Sequence, residues 1–85
     1  MKQFNHIIKD ELGIHARPAG MLVKLVKNYE SNIEITKGDK TVGAGQLLKL
    51  MGLAVKCGDE VKITIEGPDE DIAFEGVEKF FTENL

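Results

Sequence analysis

Polar and apolar residues alternate along this chain with two different periods, and the order of those periods predicts its elements. From residue 2 to residue 8, Phe4, His6 and Ile8 fall on one side in two-residue alternation, which predicts a strand despite the histidine. From Ala16 to about Asn28 the spacing of Ala19, Leu22, Val23 and Val26 is that of one helical face, with Lys24 and Lys27 lying off it. Asn32 to Thr36 alternates through Ile33 and Ile35, Lys37-Gly38-Asp39-Lys40 supplies turn residues, and Thr41-Val42 resumes, which predicts a hairpin with a short second strand. Gln46 to Leu53 carries Leu47, Leu48, Leu50, Met51 and Leu53, too many apolar residues for one face of a two-turn helix, so some of them must face solvent or a partner. Cys57-Gly58-Asp59 is a turn, and Glu60 to Glu66 then points Val61, Ile63 and Ile65 one way and Lys62 and Thr64 the other. Gly67-Pro68-Asp69-Glu70-Asp71 ends that strand and sets proline and acids at the start of a last helix, which carries Ala73, Val77, Phe80 and Phe81 inward.

The order is strand, helix, strand, strand, helix, strand, helix, an α+β pattern. Half-apolar strands and one-sided helices imply an open-faced sandwich, with helices on one face of the sheet and water on the other. The order of strands within the sheet does not follow from the pattern. A chain of 85 residues fits one domain, residues 1–85, with one modest core.

Composition narrows the function. With 42% apolar and 29% charged residues the chain is an ordinary folded globular protein. A net charge of −3 and a pI near 5.3 argue against nucleic acid and anionic membrane as partners. The first residues, MKQFNHIIKDE, lack the apolar run of a signal peptide, and no stretch is apolar enough to span a bilayer, so a cytoplasmic location is expected. The lone Cys57 has no partner for an internal disulfide and suits a reducing compartment, and Asp59 and Glu60 beside it make it a poor nucleophile. Two unclustered histidines suggest no metal, and no cofactor is expected.

The segment Gly13-Ile14-His15-Ala16-Arg17-Pro18-Ala19 joins the first strand to the first helix, with Pro18 in the first helical turn, where a missing N–H costs nothing. That puts His15 at the cap position, its ring beside the free amides at the positive end of a helix, with the Arg17 guanidinium two residues on. A helix-end dipole of about 0.5–1 kcal/mol changes a free imidazole little. A phosphoryl group on the ring brings roughly two negative charges within reach of donors whose charge-assisted bonds are worth about 1.5–3 kcal/mol each. The arrangement therefore suits a phosphorylated ring better than it activates a bare one. On spacing alone, a histidine that merely caps its helix and a solvated Arg17 fit equally well. His6 reads as a packing or edge residue.

This run resembles the active-site signature of the HPr family of histidine phosphocarriers of the bacterial sugar phosphotransferase system, and the likeness extends over the whole chain. It implies a βαββαβα open-faced sandwich with a four-stranded antiparallel sheet and three helices on one face. It implies that His15 accepts a phosphoryl group at Nδ1 from enzyme I, charged by phosphoenolpyruvate, and passes it to enzyme IIA domains. Arg17 would pair with the phosphate, the amides of Ala16 and Arg17 would bind it, and Pro18 would shape the helix start. Gly20, Lys24, Lys27, Leu47, Leu48, Lys49 and Met51 occupy the positions at which this family docks its partners, with regulatory proteins as further candidates. Such a protein is a monomeric carrier rather than a complete enzyme. Four departures stand out: Gln46 occupies the place of the family's regulatory serine, Gly45 that of the basic residue often before it, Gly20 replaces a usual alanine, and His6 stands where the family's core pattern prefers an apolar residue. Gln46, Gly45 and Gly20 keep open a diverged paralogue in a regulatory or specialised pathway; a non-catalytic binding module that uses the Leu47–Met51 patch alone is a third reading, against which the intact histidine site counts.

Overall fold

The computed structural model describes residues 1–85. Its elements are β1 (Lys2–Ile7), α1 (Ala16–Val26), β2 (Asn32–Lys37), β3 (Lys40–Gly43), α2 (Leu47–Gly52), β4 (Glu60–Glu66) and α3 (Glu70–Asn84). The order is the expected one, and the differences lie at the ends. Helix α1 stops at Val26, the last residue of its apolar face, and the amides of Asn28 and Tyr29 turn back to the carbonyls of Leu25 and Val26 in a tightened final turn. Strand β1 stops at Ile7, although the Ile8 amide still reaches the Asp59 carbonyl at 2.9 Å.

The four strands form one antiparallel sheet in the order β1-β4-β2-β3. The order puts the last strand of the sequence in the middle, between the first and the second. In β4, Val61, Ile63 and Ile65 are at most 1% exposed, opposite His6 and Phe4 of β1 on one side and Ile35 and Ile33 of β2 on the other. Burying such a side chain is worth about 1.5–3 kcal/mol, so this strand contributes much of a small core. The helices cover this face: Ala19 and Leu22 of α1, Leu50 of α2, and Ala73, Val77 and Phe81 of α3 are fully buried against it. The opposite face is polar, with Gln3 and Glu34 flanking Thr64, and Asn5 and Thr36 flanking Lys62, which is why it needs no cover.

His6 breaks the apolar pattern of the inner face. Its ring packs edge-on against Phe81, with centroids 5.5 Å apart, and its Nε2 is buried without a hydrogen-bond partner. Asp69 departs from the simple reading of acids at a helix start. It occupies the N-cap of α3, yet its carboxylate turns away from that helix and accepts the Glu30 and Ser31 amides, both at 2.9 Å, and the Ser31 hydroxyl at 2.5 Å. This stitches the α1–β2 loop to the start of α3. Gly67 permits the approach: a Cβ there would lie 2.5 Å from the Ser31 Cα, on a backbone with φ of +156°.

Three carboxylates make stability depend on acid, one of them Glu70, held below its usual range by the Met1 ammonium and then the Gly67 amide. The Ser31 hydroxyl, then the Glu30 amide, hold Asp69 below the usual carboxylate range, and the Lys56 amide, then the Lys37 ammonium, do the same for Asp59. A lowered folded value means the stabilisation is complete above the unfolded carboxylate range, near about pH 4, and is lost as the pH falls through the folded values. Thermal melts should be nearly flat from about pH 7 to about pH 5 and drop below about pH 4, and Asp69→Asn should lower the neutral melting temperature and flatten the acid limb. His6→Leu, which removes the unpartnered nitrogen at similar volume, should raise stability by about 1 kcal/mol in chemical denaturation.

Candidate functional site

The β1–α1 loop is pinned on both sides of His15. Before it, the Asp10 carboxylate accepts the Leu12 amide at 2.8 Å and its carbonyl accepts the Gly13 amide at 3.0 Å, forming a side-chain-supported turn. Gly13 then passes so close to Val55 that a Cβ would stand 2.2 Å from its carbonyl oxygen, and it does so at φ of +68°. Ile14 follows into the core and donates its amide to that same carbonyl at 3.1 Å. After His15, Pro18 and Ala19 are buried. The chain on either side of the histidine is thus immobilised while its own side chain stays 36% exposed.

His15 is the N-cap of α1, as its position before Pro18 predicts, with extended backbone at φ −109° and ψ −175°. Its carbonyl accepts the Ala19 amide at 2.9 Å and Pro18 has no N–H, so the amides of Ala16 and Arg17 are left without an internal acceptor. The imidazole makes no hydrogen bond to this helix start. Its Nε2 instead faces the Asp10 carboxylate, 3.7 Å from Oδ1. His15, Arg17 and Pro18 share a shallow depression of about 260 Å³ with Asp10, Met21 and Asn84. Arg17 is exposed and has no carboxylate partner, in contrast to Lys2 and Lys37, which pair with Asp71 and Asp59. An unpaired guanidinium beside two free amides and a ring nitrogen makes this depression suited to a group that bears oxyanions.

The remaining candidates lie on α1 and α2, which pack against each other. Lys24 is exposed on α1 and Lys27 at its C-cap, while Gly20 has open space beyond its Cα. On α2, Leu50 is fully buried, whereas Leu47, Leu48 and Met51 are 40%, 84% and 39% exposed, which accounts for the apolar excess of that segment. Lys49 is exposed between them. No Asp or Glu occurs from residue 14 to 29 or from residue 40 to 58, so both helices present cations and apolar groups in a chain whose net charge is −3. Gln46 is the N-cap of α2 and makes no side-chain cap bond. It shares a larger depression, about 470 Å³, with Lys27, Ser31 and Glu34, a hollow that holds no histidine or cysteine. Cys57 is exposed in its turn, and no three His, Cys, Asp or Glu side chains converge on a common point where a metal ion could be held.

Sequence reasoning missed two residues. Lys37 reaches from the end of β2 to the carbonyls of Ala54, at 2.9 Å, and Leu53, at 3.5 Å, capping the C-terminal end of α2. Asp10 was legible only as a turn former two residues before Leu12, and nothing local says that it faces the His15 ring.

Comparison with known proteins identifies the family and the fold. Residues 2–83 match the model of the PTS HPr component phosphorylation site family. The chain is 41% identical over 83 residues to a phosphocarrier protein HPr of Lysinibacillus sphaericus, covering 98% of this chain and 94% of that one. Its fold superposes with a TM-score of 0.93 on a histidine-containing phosphocarrier protein of Mycoplasma, at 33% identity and covering 96% and 93% of the two chains. It superposes with a TM-score of 0.77 on an HPr dimer of Thermoanaerobacter tengcongensis, at 34% identity and covering 98% and 95%. No helix is long and apolar enough to cross a membrane.

Proposed function

Because the chain belongs to the HPr family of phosphotransferase-system phosphocarriers, we propose that His15 is its phosphoryl acceptor, charged at Nδ1 by enzyme I and discharged to enzyme IIA domains. The observation that carries this reading is the combination of a half-exposed histidine, the unpaired Arg17 and the two free amides of Ala16 and Arg17 on a loop immobilised on both sides. Docking of a donor delivers the phosphoryl group to Nδ1. The phosphate oxygens then meet Arg17 and the helix start, where charge-assisted bonds of about 1.5–3 kcal/mol each stabilise the adduct. The site stays open to solvent and to the next protein, so the group is held without being enclosed. His15 is the one residue of the depression that offers a ring nitrogen to phosphorus.

Transfer in both directions needs a partner surface, and α1 and α2 supply one. Leu47, Leu48 and Met51 form the apolar part and Gly20 allows close approach, while Lys24, Lys27 and Lys49 give a positive rim that speeds encounter with acidic partners. The carrier works as a single HPr-like unit over residues 1–85 and as a monomer. Gln46 has no hydroxyl to phosphorylate, which supports a carrier without the serine-linked regulation of its family.

Incubation with phosphoenolpyruvate and a cognate enzyme I should add one acid-labile phosphate to the intact mass, and His15→Ala should take up none; equal labelling of that variant would disprove the assignment. Arg17→Ala should lower the equilibrium constant for phosphorylation of His15 by about tenfold to a hundredfold, the loss of about 1.5–3 kcal/mol of oxyanion binding, read from the phosphorylated to unphosphorylated ratio against a fixed donor ratio. Leu48→Asp should raise the apparent KM for an enzyme IIA acceptor about tenfold or more and leave kcat nearly unchanged, since it removes binding common to ground and transition states.

A further inference from the structure

We propose that Asp10 is a positioning residue for this exchange, holding the Nε2 proton of His15 through the whole cycle so that Nδ1 alone makes and breaks the bond to phosphorus. The inference rests on the reading of His15 as an Nδ1 acceptor. Asp10 Oδ1 lies 3.7 Å from Nε2, and its carboxylate has no lysine or arginine partner. It is held in place: the Leu12 amide donates to Oδ1 at 2.8 Å, and the Asp10 amide donates to the Leu85 main-chain oxygen at 3.1 Å. Asp10 and His15 are 32% and 36% exposed, so water screens the pair only in part. The charged groups lining the depression are Asp10 from the loop and Arg17 from α1, while α3 contributes the neutral Asn84.

An ionised carboxylate accepts hydrogen bonds and donates none, so opposite Nε2 it favours the tautomer with the proton on Nε2 and the lone pair on Nδ1. In the accepting step that lone pair attacks phosphorus, the bond from phosphorus to the donor breaks, and its electron pair leaves with the donor. The ring becomes cationic and keeps its Nε2 proton beside the Asp10 carboxylate. In the donating step the phosphorus–Nδ1 bond breaks, its electron pair returns to Nδ1, and the ring is again neutral with the proton on Nε2. No proton has to enter or leave. Asp10 thereby keeps the phosphorylated ring in the form from which Nδ1 departs as neutral imidazole rather than as an anion. The contact is longer than a hydrogen bond in the free protein, as is common before a reacting group is in place.

The test exploits the second role of Asp10. Asp10→Asn retains an oxygen for the Leu12 amide and removes only the charge, while Asp10→Ala removes both. Each protein is phosphorylated with phosphoramidate, and the His15 ring is followed by long-range ¹H–¹⁵N spectra as the pH is raised. We expect phosphate on Nδ1 throughout, with loss of the Nε2 proton occurring about half a pH unit lower in Asp10→Asn than in the unaltered protein. The phosphoprotein should survive roughly twofold to threefold longer in mildly alkaline buffer, with the same shift in Asp10→Ala. Equal midpoints and equal lifetimes in Asp10→Asn and the unaltered protein would overturn the proposal, as would phosphate on Nε2. An unaltered protein that takes no phosphate on His15 at all would instead overturn the acceptor reading on which the proposal stands.

Discussion

The pairing of β4 with both β1 and β2 is the constraint on which the rest of the molecule depends. Strand β4 is the last strand of the sequence and the most buried, and it alone joins β1 to the β2–β3 hairpin, so the four-stranded sheet exists only with β4 between β1 and β2. With β4 there, Val61, Ile63 and Ile65 form a continuous apolar surface with Ile33 and Ile35. The helices have one face to cover. A chain this short has little other core to fall back on, which is why the contacts made around β4 are tight and why the unpartnered nitrogen of His6, on the edge strand beside it, stands out.

The functional loop is built from the same constraint. Gly13 and Ile14 lie against Val55, which leads into the turn before β4, and Pro18 and Ala19 are held by the core beneath α1. His15 therefore protrudes from a segment fixed at both ends, and the geometry presented to a partner is set before the partner arrives. Such preorganisation spares the site much of the ordering cost of binding. The second helix follows a different logic. Leu50 and Leu53 anchor it and Lys37 caps it, leaving Leu47, Leu48 and Met51 outside. An apolar excess that would be a liability in an inert surface is tolerable where another protein covers it in turn.

The sequence by itself determined the kind and order of the elements and singled out the residues proposed to carry the chemistry, because both readings are local. Two-residue alternation in Glu60 to Glu66 and the helical spacing of Ala19, Leu22, Val23 and Val26 are consequences of backbone geometry within a few residues. Pro18 placed His15 at a helix start for the same reason, and the surplus of leucines around Leu48 could be counted before any packing was known. Tertiary structure alone decided the strand order, the escape of the Asp69 carboxylate from its own helix to Ser31, the reach of Lys37 to α2, and the placing of Asp10 against the Nε2 of His15. Each of these joins groups whose meeting depends on how separate elements pack or how a loop closes. No periodicity encodes that distance, because it is the shared core, and not the neighbouring sequence, that brings them together.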